Sequence, residues 1–442
     1  MIPRLLLAAL VTGPFLLACG QAGTAASEAG PPAAGFDRIA FRTRDGHDLT
    51  ALVYRGSTFD PASGPIWFVL HGASRDAERY VRAAAPVAER YGALAVVPHF
   101  TKHAYPKGSD YTLDPALYAE IERLFDAVRG SLGGRQRGYY LFGHSAGAQF
   151  VHRLLTFVPG ARVVGAVSAN AGWYTLPADR DPRSQTMPYG LRGSRITPRD
   201  LRGFFATPFV VLLGERDTTT ADDDELVRGT PEARAQGATR LDRGRLYFAT
   251  AKEAARELGA EFDWRLEVVP RAGHDAGRVL PSAGFLLFVP GETPCATSAG
   301  AAASGIRFGE ILADPPPGPA GDANGDGVRD PSDDELVEIV NTGKTPVCLT
   351  GWILGDAENP ERHVFPLGRA VAPGGRVLVF GGGVPTGRFD GKTVQWSASG
   401  LSLSNAGDVI TLRDRGDAVV RRVSWGNCAG VRCADDHRRD VR

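Results

Sequence analysis

The chain has 442 residues, 43% of them hydrophobic and 23% charged, with Lys plus Arg and Asp plus Glu both at 50 and a formal net charge of +0. As a prior, that length suggests about two or three domains rather than one core. The composition excludes a wholly disordered chain, and the charge balance excludes the basic field with which a protein attracts nucleic acid or anionic lipid.

The N-terminus reads as an export signal. Arg4 is followed by the apolar run from Leu5 to Ala18, broken by Thr12, Gly13 and Pro14. The run is too short to span a bilayer as a mature helix. It ends in Leu16-Leu17-Ala18-Cys19, which resembles a bacterial lipobox. That resemblance implies cleavage after residue 18 and a lipid on Cys19. Residues 20–35 are rich in Ala, Gly, Ser and Pro, as a flexible tether would be. The expected setting is the bacterial cell envelope, through an N-terminal lipid in the membrane, with plain secretion as the alternative.

Between residues 36 and 290 short apolar runs alternate with helical patterns. Ile66 to Leu70, Ala93 to Val97, Tyr139 to Phe142, Val163 to Val167, Phe209 to Leu213 and Trp264 to Val269 read as strands. Ala146 to Phe157 and Arg245 to Leu258 read as helices. Continuous apolar strands separated by amphipathic helices predict an α/β unit around a buried, mostly parallel, doubly wound sheet.

That unit carries the strongest motif. Gly143-His144-Ser145-Ala146-Gly147 follows a predicted strand and opens a predicted helix, the setting of a nucleophile elbow. A serine hydroxyl needs a base, and the base needs an orienting carboxylate. Asp217 lies just past the strand Phe209 to Leu213, and His274 follows the strand Trp264 to Val269. Glu215 and Asp222, Asp223 and Asp224 are the other acids within reach in sequence. The backbone N–H groups of Ala146 and of Ala73, in the turn His71-Gly72-Ala73-Ser74, are the expected oxyanion donors. Trp173 and Tyr174 stand at the entrance of a proline-rich insertion and are candidate substrate contacts. His99 and His103 are four apart, but Pro98 and Pro106 oppose the helix a metal pair would need.

Residues 291–304 are small and polar and read as a linker; 428–442 form a charged tail. Between them, strand-like runs alternate with Gly-, Pro- and Asn-rich turns, without a long amphipathic helix, which predicts an all-β sandwich. Within it, Asp322, Asn324, Asp326, Val328 and Asp333 follow the logic of a calcium loop, with Asp333 where an EF-hand has Glu. A structural calcium is expected there. Apart from Cys19, the cysteines are Cys295, Cys348, Cys428 and Cys433. Of the three pairings open to them, Cys295–Cys348 with Cys428–Cys433 is preferred.

Two resemblances sharpen the reading. The stretches HGAS at 71–74, GHSAG at 143–147, SANAGWY at 168–174, GERD at 214–217 and GHD at 273–275 resemble α/β hydrolases, closest to secreted polyhydroxyalkanoate-depolymerase and feruloyl-esterase-like enzymes. This implies a Ser145–His274–Asp217 triad that cleaves esters through an acyl-enzyme, with no metal or organic cofactor for catalysis. Residues 305–427 resemble a lamin tail domain, an immunoglobulin-like sandwich, on IRFGEILADP at 306–315, DELVEIVNTGKTPVCLTGWIL at 334–354, VAPGGRVLVFGGG at 371–383 and LSLSNAGDVITLRD at 401–414. This implies an accessory module with a cell-surface or polymer ligand. The expected partner of the first unit is a small or polymeric ester. A peptidase or thioesterase on the same scaffold, or a surface binding protein with an inactive hydrolase unit, are the alternatives.

Overall fold

The computed structural model describes residues 35–106, 108–178, 185–296 and 305–426. Cys19, the signal at 1–19, Cys428 and Cys433 lie outside the described residues. Among the described residues, no helix is long and apolar enough to cross a membrane.

The first unit is built on eight strands: β1 (Gly35–Arg42), β2 (Asp48–Arg55), β3 (Ile66–Leu70), β4 (Leu94–Pro98), β5 (Tyr139–His144), β6 (Val163–Ala169), β7 (Phe209–Gly214) and β8 (Trp264–Val269). They form one sheet in the order β1-β2-β4-β3-β5-β6-β7-β8. From β4 to β8 every pair is parallel, whereas β1, β2 and β4 are joined antiparallel. β1 and β2 escape the sequence reading: β1, at the sheet edge, is largely exposed and lacks the apolar run of a buried strand.

Side chains alternate between the two faces, as the pleat requires. Ile66, Phe68 and Leu70 pack with Leu94, Val96, Phe125, Phe150 and Tyr247 on one face. Trp67 and Val69 pack with Ala95, Val97, Val81 and Val279 on the other. The second face is covered by α1 (Ala77–Tyr91) and α7 (Ala276–Phe288). The first is covered by α2 (Pro115–Leu132), α3 (Ala146–Phe157), α4 (Pro198–Phe205) and α6 (Arg240–Leu258), with the short α5 (Pro231–Gln236) beside α6. The helix expected from Arg245 begins five residues earlier because Thr239 and Asp242 form a reciprocal capping box at its start.

The second unit is a sandwich of two four-stranded sheets. β14 (Thr393–Trp396), β13 (Arg376–Phe380), β10 (Leu336–Asn341) and β9 (Ile306–Leu312) form one sheet. β12 (His363–Val364), β11 (Ile353–Gly355), β15 (Gly407–Arg413) and β16 (Val419–Gly426) form the other. Val337, Ile339, Trp352, Leu354, Val377, Val379, Ile410 and Leu412 fill the space between them. A disulfide joins Cys295, just past α7, to Cys348 in this sandwich.

Candidate active site

The chemistry of a doubly wound sheet gathers at the carboxyl ends of its strands. Four connections meet there: the turn after β3, the elbow after β5, the acid loop after β7 and the histidine loop after β8.

Ser145 is the single residue between β5 and α3, at φ 58° and ψ −118°. A non-glycine residue seldom adopts that conformation, and here the flanking strand and helix impose it. The neighbouring glycines are required by close approach. A Cβ at Gly143 would collide with the backbone of Gly147, and one at Gly147 with the carbonyl of Leu70 in β3. The elbow is thus pressed against the strand that leads to the oxyanion turn. Gly72 in that turn is close enough that an added Cβ would lie 3.5 Å from Cβ of Ser145. Ala146 opens α3, so its N–H has no acceptor within the helix. Ala73 is exposed in the facing turn.

Asp217 is 1% exposed and accepts from Nδ1 of His274 through Oδ2 at 2.8 Å. Its other oxygen, Oδ1, faces Nη1 of Arg240 at 3.2 Å. Arg240 is the first residue of α6, and the next amide, Leu241 N–H, donates to the Asp217 carbonyl at 3.3 Å. The imidazole of His274 remains partly open to solvent and lies 4.6 Å, centroid to centroid, from that of His144 beside Ser145. With Nδ1–H given to Asp217, Nε2 is the nitrogen free to act as base. Glu215 instead accepts from the Arg271 N–H at 2.8 Å and from Arg415 at 2.9 Å. Asp222 pairs with Arg234, and Asp223 accepts from Thr220. Asp217 is therefore the acid bonded to His274.

Two positioning residues, Asn170 and Tyr80, were not read from the sequence, and a third, His71, belongs to the turn that was. Asn170, buried at φ 52°, accepts from the Gly214 N–H at 2.7 Å and donates to the Gly273 carbonyl at 3.1 Å. One amide side chain thus spaces the acid loop against the histidine loop. Tyr80 of α1 places its hydroxyl 3.0 Å from Nδ1 of His144 and beside Gly72, where an added Cβ would stand 3.1 Å from it. It packs the turn after β3 against the elbow. Burial pushes the Tyr80 phenol up to about 12 and holds His144 well below the usual histidine range, so both stay neutral. His71 is the third. Its Nε2 accepts from the Phe100 N–H at 3.2 Å, which leaves Nδ1–H to donate to the Gly72 carbonyl at 3.1 Å. Burial lowers its pKa to about 3, and it serves as a neutral support of the turn. Only SANAGWY, quoted for a resemblance, pointed near Asn170.

One set of expected site residues is corrected. Trp173 and Tyr174 are 2% and 0% exposed. Trp173 packs on Tyr189 beneath the guanidinium of Arg153, and Tyr174 stacks on Tyr247 with ring centroids 4.3 Å apart. They are core, and their aromatic surface is spent on packing. In the loop of Asp322, Asn324, Asp326, Val328 and Asp333 the side chains meet backbone amides. Asp322 accepts from the Gly327 N–H, Asn324 from the Asp326 N–H, and Asp326 from the N–H groups of Val328 and Val384. These are turn contacts of the kind Asx residues make. Among the described residues, no three His, Cys, Asp or Glu side chains gather as a metal site.

Comparison with known proteins gives the same two-part division. The lamin tail domain model matches residues 299–427. The structure of poly(aspartic acid) hydrolase-1 from Sphingomonas sp. KT-1 is similar at 32% identity and a TM-score of 0.53, over 58% of this chain and 99% of that one. LpqC, a poly(3-hydroxybutyrate) depolymerase from Bordetella parapertussis, is similar at 32% identity and a TM-score of 0.54, over 60% of this chain and 93% of that one. No curated protein matches the chain.

Proposed function

We propose that this chain, which belongs to the α/β-hydrolase family and carries a lamin tail domain behind its hydrolase unit, is an exported serine hydrolase cleaving carboxylic esters. The observation that carries the reading is the buried Asp217 carboxylate bonded to Nδ1 of His274, at the mouth of the strained Ser145 elbow.

In this reading Nε2 of His274 takes the proton as Oγ of Ser145 attacks the ester carbonyl. The oxyanion that forms is held by the N–H groups of Ala73 and Ala146. As the carbon–oxygen bond to the alcohol breaks, His274 returns the proton to the leaving oxygen, and the acyl group stays on Ser145. A water then attacks the acyl-serine with His274 again as base, which frees the acid and restores the hydroxyl. Cys19 anchors the enzyme in the envelope by lipid, and the sandwich holds it to a cell surface or a polymer.

A second reading is favoured by one observation. The Sphingomonas relative is a poly(aspartic acid) hydrolase, so the same triad on an amide polymer is the competitor. The deciding experiment is hydrolysis of p-nitrophenyl butyrate, poly(3-hydroxybutyrate) and poly(aspartic acid) by the protein and by Ser145→Ala. Ester turnover that vanishes in Ser145→Ala supports the proposal. Turnover of poly(aspartic acid) alone replaces it with the amide reading.

A further inference from the structure

The two units meet at the loops that carry the acid and the base. Glu361 lies in the loop between β11 and β12 of the sandwich. Its Oε2 and Oε1 receive Nη1 and Nη2 of Arg216, each at 2.9 Å. Its Oε1 also receives Nη1 of Arg271 at 2.9 Å. Arg216 immediately precedes Asp217, and Arg271 stands three residues before His274. One carboxylate of the second domain therefore holds both loops of the triad.

The contact is organised from both sides. On the sandwich side, Asp356 accepts from the amides of Glu358 and Asn359 and from Nε of Arg362, and the Glu361 amide donates to Asn359. These bonds fix the loop before it meets its partner. On the hydrolase side, Arg271 sits at φ 58° with its side chain 9% exposed. Its second nitrogen reaches Asp417 at 2.7 Å and the Arg415 carbonyl at 3.1 Å. Arg415 in turn pairs with Glu215, two residues before Asp217. The ring of Pro270 packs on Gly351, where a Cβ would stand 2.8 Å from Cβ of Pro270. A passive tether has no need to grip these loops. The Glu292–Arg369 pair also joins the region after α7 to the sandwich, but it involves neither loop.

We propose that Glu361 is a positioning residue for the hydrolase triad, and that the lamin tail domain completes the active site by setting the relative placement of Asp217 and His274. This rests on the triad reading above. The physical reason is that two loops, each otherwise held by a few hydrogen bonds, are referred to one rigid carboxylate. A displacement of about 1 Å at a catalytic group costs as much as 100-fold in rate. Arg216–Glu361 and Arg271–Glu361 share charge in a partly buried seam, where salt screens less than at an open surface.

The test uses the full chain and compares Glu361→Gln with Glu292→Gln, which cuts the remote inter-domain pair. Two quantities are read: kcat and KM on p-nitrophenyl butyrate, and hydrogen–deuterium exchange of residues 214–217 and 270–274. Glu361→Gln is expected to lower kcat about tenfold with KM within about twofold, since binding surface is untouched. Exchange in both loops is expected to rise in Glu361→Gln, while Glu292→Gln matches the parent in both readouts. Unchanged kcat and exchange in Glu361→Gln, or equal losses in both variants, overturn the proposal. If the parent hydrolyses no ester, the esterase reading fails on its own, and the exchange comparison still decides whether Glu361 holds the two loops.

Discussion

Arg240 sets Nη1 3.2 Å from Oδ1 of Asp217, with the two side chains 4% and 1% exposed. The Asp217 carboxylate is thus shared between a buried guanidinium and an imidazole, one on each oxygen. The arginine opens α6, so the helix start and the acid loop are fixed together.

Arg240→Met is expected to destabilise the protein and to slow it. Removing one partner of a buried pair leaves a charge only partly compensated, at a cost of up to about 3–5 kcal/mol. With one oxygen released, Asp217 can rotate away from Nδ1 of His274, and kcat should fall. Thermal unfolding and p-nitrophenyl butyrate kinetics measure the two effects. Parental Tm together with parental kcat would mean that His274 alone satisfies the carboxylate.

Gly147→Ala tests the close contact behind the elbow. The added methyl would meet the carbonyl oxygens of both Leu70 and His71. Either α3 or the end of β3 must retreat, which separates the Ala146 and Ala73 donors. Loss of one oxyanion donor costs about 100- to 1,000-fold in kcat. A loss of at least that order is expected on p-nitrophenyl butyrate, with far-ultraviolet circular dichroism checking that the fold persists. Activity within about threefold of the parent would show that the glycine is not needed for space.

The sequence carried much of this arrangement, for identifiable reasons. The central strands β3, β4 and β7 were legible because they are buried on both faces and therefore continuously apolar. The elbow was legible because its tight turn permits so few residue types. What could not be read are the residues whose role depends on distant partners. Asn170 joins Gly214 to Gly273, and Tyr80 bonds His144, across separations that no local pattern records. Trp173 misled because an aromatic near a loop looks the same whether it faces a ligand or, as here, Arg153 and Tyr189. The acidic loop has two readings for a related reason: Asp and Asn at alternate positions suit a turn that feeds its own amides as well as a calcium loop.

Tyr80→Phe should separate support of the site from stability. The hydroxyl bonds Nδ1 of His144 and stands beside Gly72, and the ring alone fills the space. Without it, the elbow loses that anchor. A fall in kcat of about 3- to 10-fold is expected, with KM little changed, from the loss of a buried neutral hydrogen bond of about 1 kcal/mol. Steady-state kinetics on p-nitrophenyl butyrate measures it. Unaltered kcat would place the function of this hydroxyl in stability alone.

The sandwich should weaken as pH rises, through Glu335. Oε1 of this buried carboxyl accepts from the Leu403 N–H at 2.9 Å, while Oε2 is buried without a partner among the described residues. Burial, reinforced by nearby Asp408, raises its pKa from the ordinary 4.5 to about 7, against the opposing pull of the Leu403 and Ser402 amides and Arg362. The folded value exceeds the unfolded one, so the fold prefers the protonated acid. The stability this confers is complete below about pH 4.5 and is lost as pH climbs through about 7. Glu335→Gln keeps the shape and removes the titration. Comparing the two chains cancels the carboxylates that titrate the other way, such as Glu338 beside Arg376. Thermal unfolding at pH 5.5 and pH 8 should show the parent losing about 2 kcal/mol more than Glu335→Gln over that interval. Equal pH dependence in the two chains would mean that Glu335 is ionised in the fold already at pH 5.5, with its charge carried by Arg362 and the two amides.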